Sequence, residues 1–322
     1  MQAKLSTLEL CAGAGGEALG LEQSGIEHAG LIEIDKHACN TLRFNRPQWN
    51  VLEQDLFKFT DASDFKGVDL VTGGLPCPPF SKAGKQLGHL DERNLFPVAI
   101  DIIDQVRPRA VMIENVRGIL DAIFDDYRQQ IKKQLKKLGY EVDWQQLQAS
   151  DFEVPQLRPR VVFVAIKKAD AGNFRWPIPQ ARKAPTVGEA LYDLMAERGW
   201  KGAKLWKERA DEIAPTIVGG SKKHGGPDLG PTRAKRAWES LGVNGHTIAE
   251  EAPDCDFVGM PRLTVQMVAR LQGFPLDWHF SGKKTNAYRQ VGNAFPPPVA
   301  FAVSKQIVDA LTAGRRFMQV AG

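Results

Sequence analysis

A cysteine set among prolines, Pro76-Cys77-Pro78-Pro79, stands in the loop after a short apolar run, Val68-Asp69-Leu70-Val71-Thr72. An isolated cysteine is usually a small buried hydrophobe. Here the prolines remove backbone donors and fix the chain, a poor composition for a core and a good one for presenting a thiol to a substrate. Glu114-Asn115-Val116 ends the next β-like run, Arg109 to Glu114, and offers a carboxyl group that can give or take a proton. Gln156-Leu157-Arg158-Pro159-Arg160 precedes a further apolar run and sets two guanidinium groups at alternate positions, on one side of an extended segment. Their forks suit a carbonyl oxygen, a carboxylate or a phosphate. Taken singly, Glu114 is also a plausible helix-capping acid and the arginines an exposed edge charge pair.

A glycine-rich stretch, Glu9-Leu10-Cys11-Ala12-Gly13-Ala14-Gly15-Gly16, lies where a first strand meets a first helix. Small residues there let a ligand approach backbone amides and the helix N-terminus. The spacing is not the G-x-G-x-x-G of a dinucleotide site, and alone it reads as a tight turn. Glu33 and Asp55 fall at the ends of the next two β-like segments, where carboxylates can accept from ribose hydroxyls and an adenine amino group. A nucleoside ligand without phosphates fits this set. Convergence of these signals at one sheet edge is what separates a site from scattered structural residues.

The elements that must position them alternate. Leu5 to Leu10, Gly30 to Asp35, Val68 to Thr72 and Arg109 to Glu114 are each followed by a loop and a helical pattern, which predicts a mostly parallel, helix-covered sheet. Arg160 to Ile166 is apolar enough to be buried on both faces and completes it. After Asp170 the alternation stops and Pro, Gly, Trp and Lys dominate, predicting a second, loop-rich domain. Helical spacing returns at Leu263 to Leu271 and at Val299 to Leu311, the latter predicted to pack back on the first domain. The expected division is 1–169, 170–260 and a return at 261–322.

The chain has 322 residues, 42 Lys+Arg against 38 Asp+Glu, and 43% hydrophobic content, which excludes disorder and disulfide-dependent miniproteins. The net charge of +4 is too small to identify a nucleic-acid partner by itself. Its 4 cysteines show no C-x-x-C spacing, so neither a zinc site nor a disulfide framework is expected, and a reducing cytoplasm fits. No apolar stretch approaches the ~18 residues of a membrane span, and no signal-peptide pattern opens the chain.

The combination resembles the cytosine-C5 DNA methyltransferases over nearly the whole length. Glu9 to Gly16 is similar to that family's cofactor motif, Pro76-Cys77 to its nucleophile and Glu114-Asn115-Val116 to its Glu-Asn-Val. Gln156 to Arg160 resembles its Gln-x-Arg-x-Arg, Arg262-Leu263-Thr264 through Gln272-Gly273-Phe274-Pro275 its penultimate motif, and Gly292-Asn293 its last. The resemblance implies an α/β, Rossmann-like S-adenosylmethionine-dependent methyltransferase sheet with a smaller loop-rich target-recognition domain. It implies Cys77, Glu114, Arg158 and Arg160 as catalytic residues, with Glu114 at cytosine N3, Arg160 at O2 and Arg158 in support. Cofactor contacts are implied for Cys11, Ala14, Gly16, Glu33, Ile34, Asp55, Leu56, Pro76, Leu95 and Asn293, and no metal. The loop from Pro78 to Arg93 resembles the element that closes over a flipped-out base, with Ser81, Lys85 and Arg93 as phosphate contacts.

The segment from Asp170 to Met260 would read the target, with Lys201, Lys204, Lys207, Lys222, Lys223, His224, Arg233, Lys235 and Arg236 forming a basic face; Lys222 and Lys223 are the DNA contacts expected there. Pro78 stands where many members carry Gln, and Ala294 where Ser is common. A tRNA-methylating branch usually carries Cys-Phe-Thr in its recognition region, which is absent here. Cys77, Glu114 and Arg160 argue against an inactive relative, and the glycine spacing argues against a nicotinamide oxidoreductase. The expected protein is a monomeric, cytoplasmic, bacterial restriction-modification-type enzyme acting on duplex DNA.

Overall fold

Alternating strands and helices in the first half of the chain build one seven-stranded sheet. The computed structural model describes residues 4–76, 94–220 and 226–320. The chain runs β1 (Ser6–Leu10), α1 (Gly16–Gln23), β2 (Glu27–Glu33), α2 (Lys36–Asn45), β3 (Val51–Glu53), β4 (Leu70–Gly74), α3 (Phe96–Val106), β5 (Ala110–Val116), α4 (Asp125–Lys137), β6 (Tyr140–Gln148), β7 (Pro159–Lys167) and α5 (Lys168–Ala171). Their order across the sheet is β3-β2-β1-β4-β5-β7-β6.

β1 pairs in parallel with both β2 and β4, β2 with β3, and β4 with β5. Strand order therefore reverses between β1 and β4, and their carboxyl ends frame the crevice where open α/β sheets bind ligands. β7 runs the other way, antiparallel to β5 with Val116 opposite Arg160 and Glu114 opposite Val162. The start of β7 thus lies at the same edge as the end of β5. Val161 to Ile166 are all buried, as expected for a strand covered on both faces. β6, at the sheet's end, alternates buried and exposed residues over Tyr140-Glu141-Val142-Asp143, a one-sided pattern that the apolar-run reading passed over.

Contacts divide the chain into two compact units: Met1–Leu147, Pro159–Ile178 and Val299–Gly322 in the first, Gln148–Arg158 and Pro179–Pro298 in the second. The second unit carries α6 (Val187–Ala196), α7 (Ala203–Arg209), α8 (Thr232–Ser240), α9 (Val265–Leu271) and α10 (Lys284–Asn293); α11 (Pro297–Val320) returns the chain to the first. This division differs from the expected boundaries at 169/170 and 260/261, because residues 148–158 and 261–298 group with the second unit and residues 170–178 with the first.

The reason is a buried hydrogen-bond network in that unit. Gln156 Nε2 donates to Leu271 O (3.1 Å) and Gln272 Oε1 (2.8 Å), and its Oε1 accepts from Ile217 N (2.8 Å). Gln272 Nε2 donates to Val291 O (2.7 Å). Arg158, 1% exposed, donates to Ile217 O (2.6 Å), Gly292 O (2.8 Å) and Ala294 O (3.0 Å). Gly292 must be glycine here, since a Cβ would lie 2.5 Å from Gly219 Cα. Among the described residues no helix is long and apolar enough to cross a membrane.

Removing the Arg158 head group leaves three buried carbonyls without their donor. Arg158→Met is expected to destabilise the protein by roughly 2–4 kcal/mol. Urea unfolding measures this, and a midpoint equal to that of the unsubstituted protein would contradict it.

Candidate active site

At the carboxyl end of β1 the chain turns through left-handed conformations at Cys11 (φ 54°), Gly13 (φ 55°) and Gly15 (φ 86°), and Gly15 caps α1. This turn aims the Gly13 amide at Glu33, whose Oε2 accepts it at 2.7 Å. Glu33 Oε1 accepts from Asp35 N, also at 2.7 Å, and Asp35 in turn caps α2 by accepting from His37 N and Ala38 N. Burial pushes the Glu33 carboxyl up, opposed by the Asp35 and Gly13 amides. Two amides leave a carboxylate with acceptor capacity for further donors, such as vicinal hydroxyls.

Beside it Ile34 is 62% exposed, an apolar surface next to a buried acid. Asp55 follows β3 and is partly buried, its Oδ1 accepting from Phe57 N (3.0 Å), with Leu56 buried between them. Carboxylates at the ends of two neighbouring strands with an apolar face alongside fit a nucleoside. The backbone of Ala14 and Gly16 is buried within the turn. Cys11 is half-buried, its thiol pushed up by burial and the Glu33 charge, so it is an inert sulfhydryl. Pro76 is exposed two residues beyond β4, and Leu95, buried, precedes α3.

The β5–β7 register gives the site its ion pair. Glu114 and Arg160 sit diagonally on one face of the two strands, and Arg160 Nε lies 2.7 Å from Glu114 Oε1 with both side chains about nine-tenths buried. Arg158, grouped by sequence spacing with Arg160, is not part of this pair. It belongs to the second unit, and its guanidinium is committed to backbone carbonyls, so it positions chain rather than presenting a fork to a ligand. Asn293 also belongs to the second unit, where its Nδ2 donates to Gly220 O (3.2 Å). Cys77, Ser81, Lys85, Arg93, Lys222 and Lys223 lie outside the described residues.

Sequence reasoning missed three groups. Glu9 on β1 is fully buried, its Oε2 3.6 Å from His28 Nδ1 on β2. His28 Nε2 is 3.0 Å from Ala18 O, which assigns the ring proton to Nε2 and leaves Nδ1 as an acceptor. Glu17, in the first turn of α1, is 4% exposed. Burial first, and then neighbouring charge, holds both carboxyls well above the usual range, while burial pushes His28 down to about 4. Glu9 Oε2 and His28 Nδ1 face each other without a hydrogen bond among the described residues, and burial disfavours the charged form of each. Glu9 opens the glycine-rich stretch that resembles a cofactor motif, but nothing in the sequence marks Glu9, His28 or Glu17 as buried, because an acid in a helix's first turn and one within a glycine motif are both common. Among the described residues no group of three or more His, Cys, Asp or Glu could hold a metal ion.

The family model of the C-5 cytosine-specific DNA methylases matches residues 5–309. The chain is 53% identical over 317 residues to the Type II methyltransferase M.NgoMIV of Neisseria gonorrhoeae, covering 96% of this chain and 98% of that one. It is 53% identical over 313 residues to the Type II methyltransferase M.NaeI of Lentzea aerocolonigenes, covering 95% and 75%. Among solved structures, the S. pombe Dnmt2 methyltransferase shares the fold with a TM-score of 0.63 at 20% identity, covering 97% of this chain and 99% of that one.

The Glu9–His28 pair sets opposite pH slopes. Glu9 holds its proton to higher pH in the folded protein than in the unfolded chain, so its contribution is full below pH about 4.5 and falls as pH rises above it. His28 stays neutral, so its contribution is full above pH about 6.5 and falls as pH drops towards 4. Glu9→Gln, which keeps the shape and cannot ionise, is expected to raise the melting temperature at pH 9 by a few degrees (about 1 kcal/mol) and to flatten the alkaline slope. An unchanged slope in scanning calorimetry would show that Glu9 is ionised when folded.

Proposed function

The chain belongs to the C-5 cytosine-specific DNA methylases and methylates cytosine C5 in DNA with S-adenosylmethionine as cofactor; we propose that Cys77, Glu114 and Arg160 carry the reaction on a base turned out of the duplex. The observation that supports this assignment is the buried Arg160–Glu114 pair at the carboxyl edge of β5.

Cytosine C5 is too weak a nucleophile to take a methyl group unaided. Addition of the Cys77 thiolate at C6 forms an S–C bond and moves ring electrons towards C5. Negative charge develops on N3 and O2 as this happens. A proton from Glu114 to N3 and the Arg160 guanidinium at O2 stabilise it where it appears. Loss of the C5 proton then returns the C6–S electron pair to Cys77. Burial of the pair strengthens both contacts, since charges that are shielded from water are screened less.

When bound, S-adenosylmethionine supplies an electrophilic sulfonium methyl group. The turn residues Cys11, Ala14 and Gly16 would hold its methionine part, Glu33 its ribose hydroxyls and Asp55 its adenine amino group. Ile34, Leu56, Pro76 and Leu95 would line the rest of the cofactor pocket, and Asn293 matches a position that helps to bind the cofactor in the family. The Gly13 and Asp35 amides keep Glu33 in place for this work.

Turning the base out costs a few kcal/mol of unstacking, which phosphate contacts from Ser81, Lys85 and Arg93 would offset. The second unit is assigned target recognition. Its Lys204, Lys207, Arg233 and Arg236 are exposed and join Lys222 and Lys223 as backbone contacts, while Lys201 and Lys235 face Asp256 and Asp228 at 3.3 Å. Like its Type II relatives, the protein would act as a modification enzyme beside a restriction partner, as a cytoplasmic monomer on duplex DNA.

Expressed in a methylation-deficient bacterium, the protein should leave 5-methylcytosine in one short sequence context, read by bisulfite sequencing. Cys77→Ala should leave none, and Glu114→Gln should slow methylation about 10²–10⁴-fold. Persistent methylation by Cys77→Ala would remove Cys77 from the mechanism.

A further inference from the structure

The first turn of α3 opens on a residue that cannot cap it. Leu95 stands at the N-cap position with helical dihedrals (φ −92°, ψ −2°) and no polar side chain, and Pro97 brings no N–H. The capping task falls one residue earlier. Asn94 Oδ1 accepts from Phe96 N at 3.2 Å, while Leu95 O takes the first helical bond from Ala99 N at 2.9 Å. Asn94 is buried, and its Nδ2 donates to the Tyr127 hydroxyl at 2.6 Å. A buried carboxamide is costly unless both of its ends are paired, and here both are.

Tyr127 belongs to the first turn of α4 and is buried, with its ring edge-on to Phe96 at 6.1 Å between centroids. Next to it Arg128, also buried, donates from Nη1 to Ile119 O and to Asp121 O (3.2 Å), in the chain that leaves β5 after Glu114. Because α3 crosses from the carboxyl end of β4 to the start of β5, its own first turn lies at the ligand-binding edge. The start of α4 therefore grips two stretches of that edge, the one that follows Glu114 and the one that holds Leu95.

We propose that Asn94 and Tyr127 are positioning residues for the cofactor: their hydrogen bond fixes the start of α3 so that Leu95 keeps its place in the pocket wall. This rests on Leu95 lining the cofactor pocket. Asn94 does the work of a cap from outside the helix, which leaves the N-cap position to an apolar side chain. A Ser or Asp at 95 would cap the helix by itself, but it would put a polar group where that wall is apolar. Loss of the tyrosine hydroxyl strands the buried Nδ2, and any turn of Asn94 towards another acceptor takes the partner of the Phe96 amide with it.

Tyr127→Phe removes one oxygen and keeps the ring. On the full chain, cofactor affinity is measured by calorimetry at a temperature where each variant is folded, for Tyr127→Phe, Asn94→Ala and the double variant. Each single variant is expected to weaken cofactor binding about three- to tenfold, and the double variant by no more than the larger single effect, since both groups act through one bond. In steady-state methylation the cofactor KM should rise by the same factor with kcat unchanged. Tyr140→Phe is the control. Its hydroxyl donates to Pro108 O at 2.7 Å, buried at the opposite edge of the sheet, so its loss should lower the melting temperature and leave affinity as it was. Should Asn94→Ala not fold, Tyr127→Phe alone carries the test. Unchanged affinity in Tyr127→Phe, or an equal loss in Tyr140→Phe, overturns the proposal and reduces the bond to general stability. If Leu95→Ala binds the cofactor at the unsubstituted affinity, the placing of Leu95 in the pocket fails; if it binds more weakly while Tyr127→Phe does not, only the roles of Asn94 and Tyr127 fail.

Discussion

The Arg160–Glu114 ion pair exists because one strand of the sheet runs backwards. In an all-parallel sheet every strand brings its carboxyl end to the ligand-binding edge, and residues at strand starts lie at the far side. β7 pairs antiparallel with β5, so its first residues meet the last of β5, Val116 opposite Arg160. A shift of one residue would turn Arg160 to the other face of the sheet. The buried run Val161 to Ile166 fixes that register, and through it the position of the guanidinium.

Around this pair the protein gathers acids with very few cations. Glu9, Glu17 and Glu114 occupy β1, the start of α1 and the end of β5, all nine-tenths buried or more. Such a cluster opposes stability if ionised, and burial pushes the Glu9 and Glu17 carboxyls towards their neutral forms. Glu33 is treated differently, its charge held by the Gly13 and Asp35 amides. The same edge therefore holds one carboxyl met by two backbone amides and two carboxyls in dry surroundings. Environment, not residue type, separates these roles.

Much of this was legible in the sequence. Apolar runs placed β1, β2, β4, β5 and β7 within a few residues, because buried strands in parallel sheets are written in aliphatic residues. Glu33 and Asp55 were legible as acids at strand ends. β6 was not, since its one-sided burial leaves Glu141 and Asp143 in the middle of the strand. The alternate spacing of Arg158 and Arg160 suggested one shared task, but the chain passes from one unit to the other between Arg158 and Pro159. One arginine closes a hydrogen-bond network and the next faces Glu114. Glu17 gave no signal, for its meaning depends on what β1 and β5 bring beside it, which spacing along the chain cannot express.

The central claim is that a cysteine adds to the cytosine ring only when Glu114 and Arg160 stabilise the charge produced. It is tested most directly by trapping on a target duplex in which cytosine is replaced by 5-fluorocytosine, whose C5 carries fluorine in place of the proton lost at elimination. With cofactor present, mass spectrometry should find a one-to-one covalent complex linked through Cys77, formed far more slowly by Glu114→Gln and by Arg160→Met. A complex linked through another residue, or one formed at the unsubstituted rate in both variants, would contradict the account.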